Sequence, residues 1–449
     1  MWHTIGERQI GVLWNPCPMK STHINGFGNF LESEAIPGAL PLRNNTPQRA
    51  PLGLYPELIS GTTFVAPRAQ NRRVHTYRIH PSVDQPTFSR MDNGLLLSGP
   101  FEQDLNPNPF RWDPFEMPTT PTDFIDGLST LCGNGDPKAQ SGLAIHVYRA
   151  NQSMSKRAFV NADGDMLFVP QTGRIELRTE LGILQVGPNE IALIPRGIKF
   201  AVKCLDGHAR GFVGENYGMP FQLPDLGVIG SHGLANPSDF WAPVAAYEEN
   251  NQAHQLVHKY GGNLWVTEVA HSPFNVVAWR GNHVPFKYDT ANYVTLGSIS
   301  VDHPDPSIFT VLTSPSDKVG GANMDFVIFP PRWSVAEDTF RPPPFHRNVM
   351  SEFMGMIHGA HYSRSSGFEP GGALLHNCWV PHGPDVATYD KAYNAALVPQ
   401  KLDNHLAFMF ETRYPMHLTP FALQAKELQK DIHQQWVGFP NHFSTQGQK

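Results

Sequence analysis

In the run F-H-R-N-V-M-S-E-F-M-G, His346 and Glu352 stand six positions apart, and His382 follows thirty residues later in V-P-H-G-P-D. Two imidazoles and one carboxylate are the facial ligand set of a non-haem Fe(II) site, which leaves positions on the metal open for substrate and O2. The pattern therefore names a chemistry, dioxygen activation, before it names a fold. His358, His361 and His376 lie between the outer members of the set. A single histidine is ordinarily a surface or hydrogen-bonded core residue. A whole constellation embedded in Gly and Pro turns points instead to a metal centre.

Short strands must position these side chains. After residue 260 the runs N-L-W-V-T-E-V-A, N-V-V-A-W-R, I-F-T-V-L-T, D-F-V-I-F-P and L-A-F-M-F-E-T are apolar or alternating, and the ligand candidates fall among them. Residues 142–213 form an earlier series, L-A-I-H-V-Y-R through F-A-V-K-C, split by Gly, Pro or Asn. Such spacing predicts antiparallel sandwiches or barrels. The earlier series is similar to the cupin barrel, with Pro195 and Gly197 in its P-x-G turn. Phe200 stands where that barrel's metal histidine would fall, so this first barrel reads as metal-free. The fold expected is mainly β, two cupin-like β-barrel or jelly-roll units with few peripheral helices. Helical spacing is confined to about 385–398 and 419–436. The division expected is an extension over 1–22, an N-terminal β domain over 23–290, and a cupin-like domain over 291–449 carrying the Fe(II) site.

Composition narrows the class. The 449 residues are too many for one small core. Charged residues make up 16%, against 41 Pro and 39 Gly, a balance that favours ordered loops and short strands over long amphipathic helices. A net charge of -6 gives no basic footprint for nucleic acid. Cys17, Cys132, Cys204 and Cys378 are far apart and form neither a disulfide framework nor a zinc ribbon, which fits a reducing cytoplasm. No run approaches the roughly 18 apolar residues of a membrane span, and the N-terminus has no apolar core of a signal peptide.

The segments N-G-F-G-N, L-Y-P-E-L-I-S-G-T-T-F-V-A-P-R, S-P-F-N-V-V-A-W, D-P-S-I-F-T-V-L-T, H-R-N-V-M-S-E-F-M-G and P-H-G-P-D closely resemble the homogentisate 1,2-dioxygenase family, in order, from about residue 23 to 440. The resemblance implies an Fe(II) enzyme of tyrosine and phenylalanine catabolism that opens the ring of homogentisate with O2 to give maleylacetoacetate. It implies iron on His346, Glu352 and His382, and a homo-oligomer, hexameric in the family. His303 is implied as the acid/base residue at the substrate hydroxyl, a task suited to an imidazole whose pKa of about 6.5 lies near neutrality. His376 is implied as a second-sphere histidine contacting substrate or the oxygen-derived intermediate, and His382 and Tyr362 as substrate contacts. The family's tyrosine stands nine residues after the ligand glutamate. Gapless counting lands on His361, with Tyr362 beside it. A local bulge would leave Tyr362 in that role; the alternative is that His361 replaces it. Leu374 and Phe30 also depart from the family pattern. Two other readings remain open at this point: a dioxygenase for a substituted homogentisate or another hydroquinone acid, and a non-catalytic cupin-like metal-binding protein.

Overall fold

The computed structural model describes residues 23–225, 233–295, 300, 309–361 and 363–444. The chain is mainly β, with thirty strands and two α-helices among the described residues. A nine-stranded sheet lies between a seven-stranded sheet on one side and a six-stranded sheet on the other. Period-two alternation makes this possible, because successive side chains of one strand enter opposite interfaces. On Asp165–Thr172, Phe168 stacks edge-on with Phe200 of the seven-stranded sheet. On Ala209–Asn216, Phe212 meets Phe353 and Phe408 of the six-stranded sheet. A strand buried on both faces reads as a nearly continuous apolar run, as L-F-V does at 167–169.

Phe200 packs against Phe124, Phe159 and Phe168 with ring centroids 5.5–6.0 Å apart, so this position is filled with aromatic core. Between the same two sheets lies an enclosed polar cluster. His146 Nε2 is 3.0 Å from Glu215 Oε2, and Lys259 Nζ reaches Glu215 Oε1 at 2.6 Å and Asp163 Oδ2 at 2.9 Å. Asn161 Nδ2 donates to Glu215 Oε1 at 2.6 Å.

The six-stranded sheet runs Thr310–Pro315, Ala322–Phe329, Leu406–Thr412, Ser351–His358, Ala373–His376 and Phe110–Trp112. Its last strand comes from the N-terminal part of the sequence, and His417–Leu418 in turn pairs with Leu128–Asp136 of the nine-stranded sheet. Two strands thus cross the point near residue 290. In this sheet Phe353, Phe410 and Phe326 are register partners facing the core. The neighbouring register row, Asp325–Glu411–Glu352–His376, faces the opposite side. A slip of one residue would turn the carboxylates into the phenylalanine core and carry the phenylalanines to the face of the site, so the core fixes the register of the site.

The helix expected over 385–398 appears as Val386–Tyr393, capped by the Asp385 side chain on Thr388 N–H. The one expected over 419–436 is corrected: an α-turn spans only Pro420–Gln424, and a 3₁₀ turn spans Ile432–Trp436. Between them Leu428 bridges Trp112, and Gln429 N–H donates to Arg111 carbonyl. Pairing with the edge strand outweighs the helical propensity of A-K-E-L-Q-K. No helix among the described residues is long and apolar enough to cross a membrane. The described cysteines, Cys132, Cys204 and Cys378, are all free.

Candidate metal centre

Glu352 is the second residue of the strand Ser351–His358, whose alternate residue Phe353 anchors in the core. His346 and His382 come from loops, and the backbone joins them directly. His346 N–H donates to His382 carbonyl at 2.9 Å, and His382 N–H returns the bond at 3.1 Å. Such a reciprocal pair fixes the two Cα positions side by side. Gly383 is required here because a Cβ would meet the Phe345 ring at 2.5 Å.

The side chains converge on one point. His382 Nε2 lies 3.0 Å from Glu352 Oε2, and His346 Nε2 lies 3.8 Å from Oε1. Each imidazole turns its other nitrogen to a carbonyl, His346 Nδ1 to Pro344 at 2.7 Å and His382 Nδ1 to Val380 at 2.9 Å. An Nδ1–H donated to a carbonyl leaves the Nε2 lone pair aimed at the carboxylate, the tautomer a metal ligand needs. Three donor atoms within 4.8 Å of one another, two imidazole nitrogens and one carboxylate oxygen, fit a divalent cation. Asn348 Nδ2 donates to Glu352 Oε1 and its Oδ1 accepts from Met350 N–H, so the amide holds the carboxylate in place. Across the strand pair stands Glu411, whose carboxyl is raised well above the usual range by burial and by the charges of Glu352 and Asp325.

His376 lies flat on His382, ring centroids 4.1 Å apart and planes 9° apart. It is buried, and among the described residues neither ring nitrogen has a hydrogen-bond partner. Burial first, then the neighbouring His382 and Arg364, hold its pKa well below the ordinary value, so it is neutral at physiological pH. Unpaired buried polar atoms cost on the order of 1–3 kcal/mol, a cost that a group entering the site would relieve. The triad opens on a cavity of about 850 Å³ lined by Phe345, His346, His382, Tyr389, Trp436 and Phe439. The Arg364 guanidinium lies over the Trp436 ring at 5.3 Å and bonds to the Gly383 carbonyl. Burial and the neighbouring Arg111 lower its pKa to about 10, still cationic at neutrality.

Of the residues singled out in the sequence, the structure brings together His346, Glu352, His382 and His376. His303 and Tyr362 lie outside the described residues. His361 turns into an apolar cluster, with Phe329 and Phe368 rings at 5.7 and 5.9 Å, and pairs with Ser363 Oγ at 2.8 Å. Leu374 is buried in that same cluster, and Phe30 is exposed far along the chain. Sequence reasoning missed Asn348, Arg364, Trp436 and Glu411. Asn348 sits inside the ligand motif and was open to inspection. Trp436 and Glu411 are brought in only by tertiary pairing.

Family models describe the same chain. The N-terminal model of homogentisate 1,2-dioxygenase matches residues 22–290, and the C-terminal model matches residues 291–443. Two relatives named homogentisate 1,2-dioxygenase, from two strains of Pseudomonas fluorescens, are 54% and 55% identical over 420 and 419 residues. Those alignments cover 94% and 93% of this chain and 96% of each relative.

Proposed function

This chain belongs to the homogentisate 1,2-dioxygenase family, and we propose that the Fe(II) its reaction uses is held by His346, Glu352 and His382. The reaction is the O2-dependent opening of the homogentisate ring. The observation that carries the metal assignment is the paired geometry of the imidazoles: both Nδ1 atoms on carbonyls, both Nε2 atoms turned to one carboxylate. Bound Fe(II) supplies the one-electron exchange between O2 and an electron-rich ring that closed-shell side chains cannot.

The chain's own residues do the rest. Homogentisate carries a carboxylate, and Arg347 on the cavity wall supplies a counter-charge, with the buried Arg364 cation held against Gly383 and Trp436. Phe345, Trp436 and Phe439 give the aromatic ring apolar walls and limit water at the reacting face. His376, neutral and with neither nitrogen hydrogen-bonded among the described residues, is suited to donate from one nitrogen to an oxygen of the reacting complex. His303 takes the proton of the ring hydroxyl, as the family motif V-D-H-P-D-P implies. The packing of His361 between Phe329 and Phe368 supports leaving the remaining substrate contact to Tyr362. His382 borders the cavity and touches substrate from its ligand position. We also assign the chain to the cytoplasm, as a homo-oligomer of two β units meeting near residue 290.

Oxygen uptake by Fe(II)-reconstituted protein, followed beside the absorbance of maleylacetoacetate, tests the reading. We expect one O2 consumed per homogentisate. The His346→Ala variant should keep its fold and lose both iron and turnover. Full activity in that variant would reject the ligand assignment. Uptake with a substituted hydroquinone acid alone would move the substrate away from homogentisate.

A further inference from the structure

We propose a second metal site, for a divalent ion of zinc's class, formed by His80, Asp84 and His271. Two loops build it. His80 follows the strand Arg73–Arg78, and Asp84 sits in a turn where its N–H donates to Pro81 carbonyl at 2.9 Å. His271 follows the strand Asn263–Val269 and precedes Val276–Gly281. Val276 is the register partner of Arg78, so the two loops leave the same end of the four-stranded sheet.

The donor atoms converge on the carboxylate of Asp84. Its Oδ2 lies 4.0 Å from His80 Nδ1 and 3.9 Å from His271 Nε2, and all three donor atoms fall within 4.8 Å of one another. The two imidazoles stack at 4.1 Å with planes 10° apart, presenting their edges to that oxygen. The decisive atom is His271 Nε2. The residue is buried, and among the described residues this nitrogen has no hydrogen-bond partner. His271 Nδ1 lies 3.0 Å from the Ser272 carbonyl and 3.4 Å from Asn275 Nδ2, an amide that already donates to that carbonyl at 2.8 Å; the shorter contact, to an acceptor, calls for the proton on Nδ1. Nε2 is then a bare lone pair turned toward a carboxylate oxygen, beyond hydrogen-bond reach. Two electron-rich atoms face each other across a gap that a cation fills.

Bond lengths of about 2.0–2.2 Å to nitrogen and oxygen put zinc ligands roughly 3.3 Å apart. The three side chains must therefore draw in by several tenths of an ångström and His80 must swing its ring. Asp84 is exposed and His80 half-buried, so both can do so while His271 stays fixed. Two imidazoles and a single carboxylate favour zinc over calcium or magnesium, which take mainly oxygen. A zinc here fastens residues 80–84 to residue 271 across the sheet end. It stabilises by mass action and leaves the ring-opening site alone.

The test uses full-length protein already loaded with Fe(II), dialysed anaerobically against buffered Zn²⁺, with zinc and iron per chain measured together. Wild type should retain one more zinc per chain than His80→Ala or Asp84→Asn, both changes at solvent-accessible positions. Zinc should raise the melting temperature of wild type and of neither variant, while iron content and turnover match in all three. Any zinc that replaces iron does so equally in each protein and cancels in the difference. Equal zinc retention by wild type and both variants would overturn the site.

Discussion

Two glutamates in this molecule each meet an imidazole nitrogen at 3.0 Å and an asparagine amide at Oε1, and their fates are opposite. Glu215 pairs with His146 and Asn161 inside the sandwich, and its cation is built in, the ammonium of Lys259. Glu352 pairs with His382 and Asn348, and no lysine or arginine nitrogen forms an ion pair with it among the described residues. Burial would raise the Glu215 carboxyl, but Lys259 and His146 win and bring it down to about 2. The side chains of Lys259, Glu215 and Asp163 in the first cluster are only 0–5% exposed. The second opens on about 850 Å³ and brings a second imidazole, His346, to the same carboxylate. A lysine neutralises a buried carboxylate but has no open position to offer a substrate. A metal ion does both.

The sharpest way to break the comparison is to remove each glutamate's cation. Glu352→Ala takes away one of three metal ligands. Iron binding should weaken by more than the roughly 100-fold that loss of an outer-shell partner costs. Turnover should go with it, while the denaturation midpoint of the iron-free protein barely moves. Iron per chain and oxygen uptake check this; a variant that keeps its iron would show that the carboxylate is not a ligand. Lys259→Met is the counterpart. It strands Glu215 and Asp163 without a cation among groups 0–5% exposed, a change that should cost about 3–5 kcal/mol of stability. Urea denaturation reads the loss, and iron per folded chain should be unchanged. Iron loss without a stability change would mean that the two clusters are not separable.

The second cluster was legible in the sequence and the first was not, for a physical reason. His346 and Glu352 are six residues apart on one loop and strand, so local spacing carries most of the ligand set. Glu215 and Lys259 are brought together by strands of different sheets, and nothing near either residue marks the pair. The strands themselves showed through, because alternation such as R-I-E-L-R-T-E is imposed by one buried face. The layering did not. It rests on which face each alternate residue takes, a matter of register between distant segments. The same blindness produced the helix expected at 419–436, whose middle is spent on Trp112 and Arg111. Glu411 illustrates the limit most plainly. It is the register partner of Glu352, fifty-nine positions away in the chain, and only the sheet puts the two side by side.

The smallest effects come from the two asparagines, and they test whether equivalent bonds do different work. Asn348 is fixed by Met350 N–H and holds Glu352 Oε1, so Asn348→Ala frees the carboxylate to turn toward Glu411. An outer partner of this kind is worth about 10–100-fold in metal affinity. Asn348→Ala should therefore lose iron to a chelator at lower concentration than wild type and regain activity in excess Fe(II). Asn161→Ala removes the matching bond to Glu215, where a hydrogen bond to a charged group is worth about 1.5–3 kcal/mol. That cost should appear as a lower denaturation midpoint with chelator sensitivity unchanged. Lys259 remains on Glu215 in that variant, so the loss stays below that of Lys259→Met. If both asparagine variants shifted the same observable, the distinction between a closed ion cluster and an open metal site would fail, because the bond would then serve stability alone in both places.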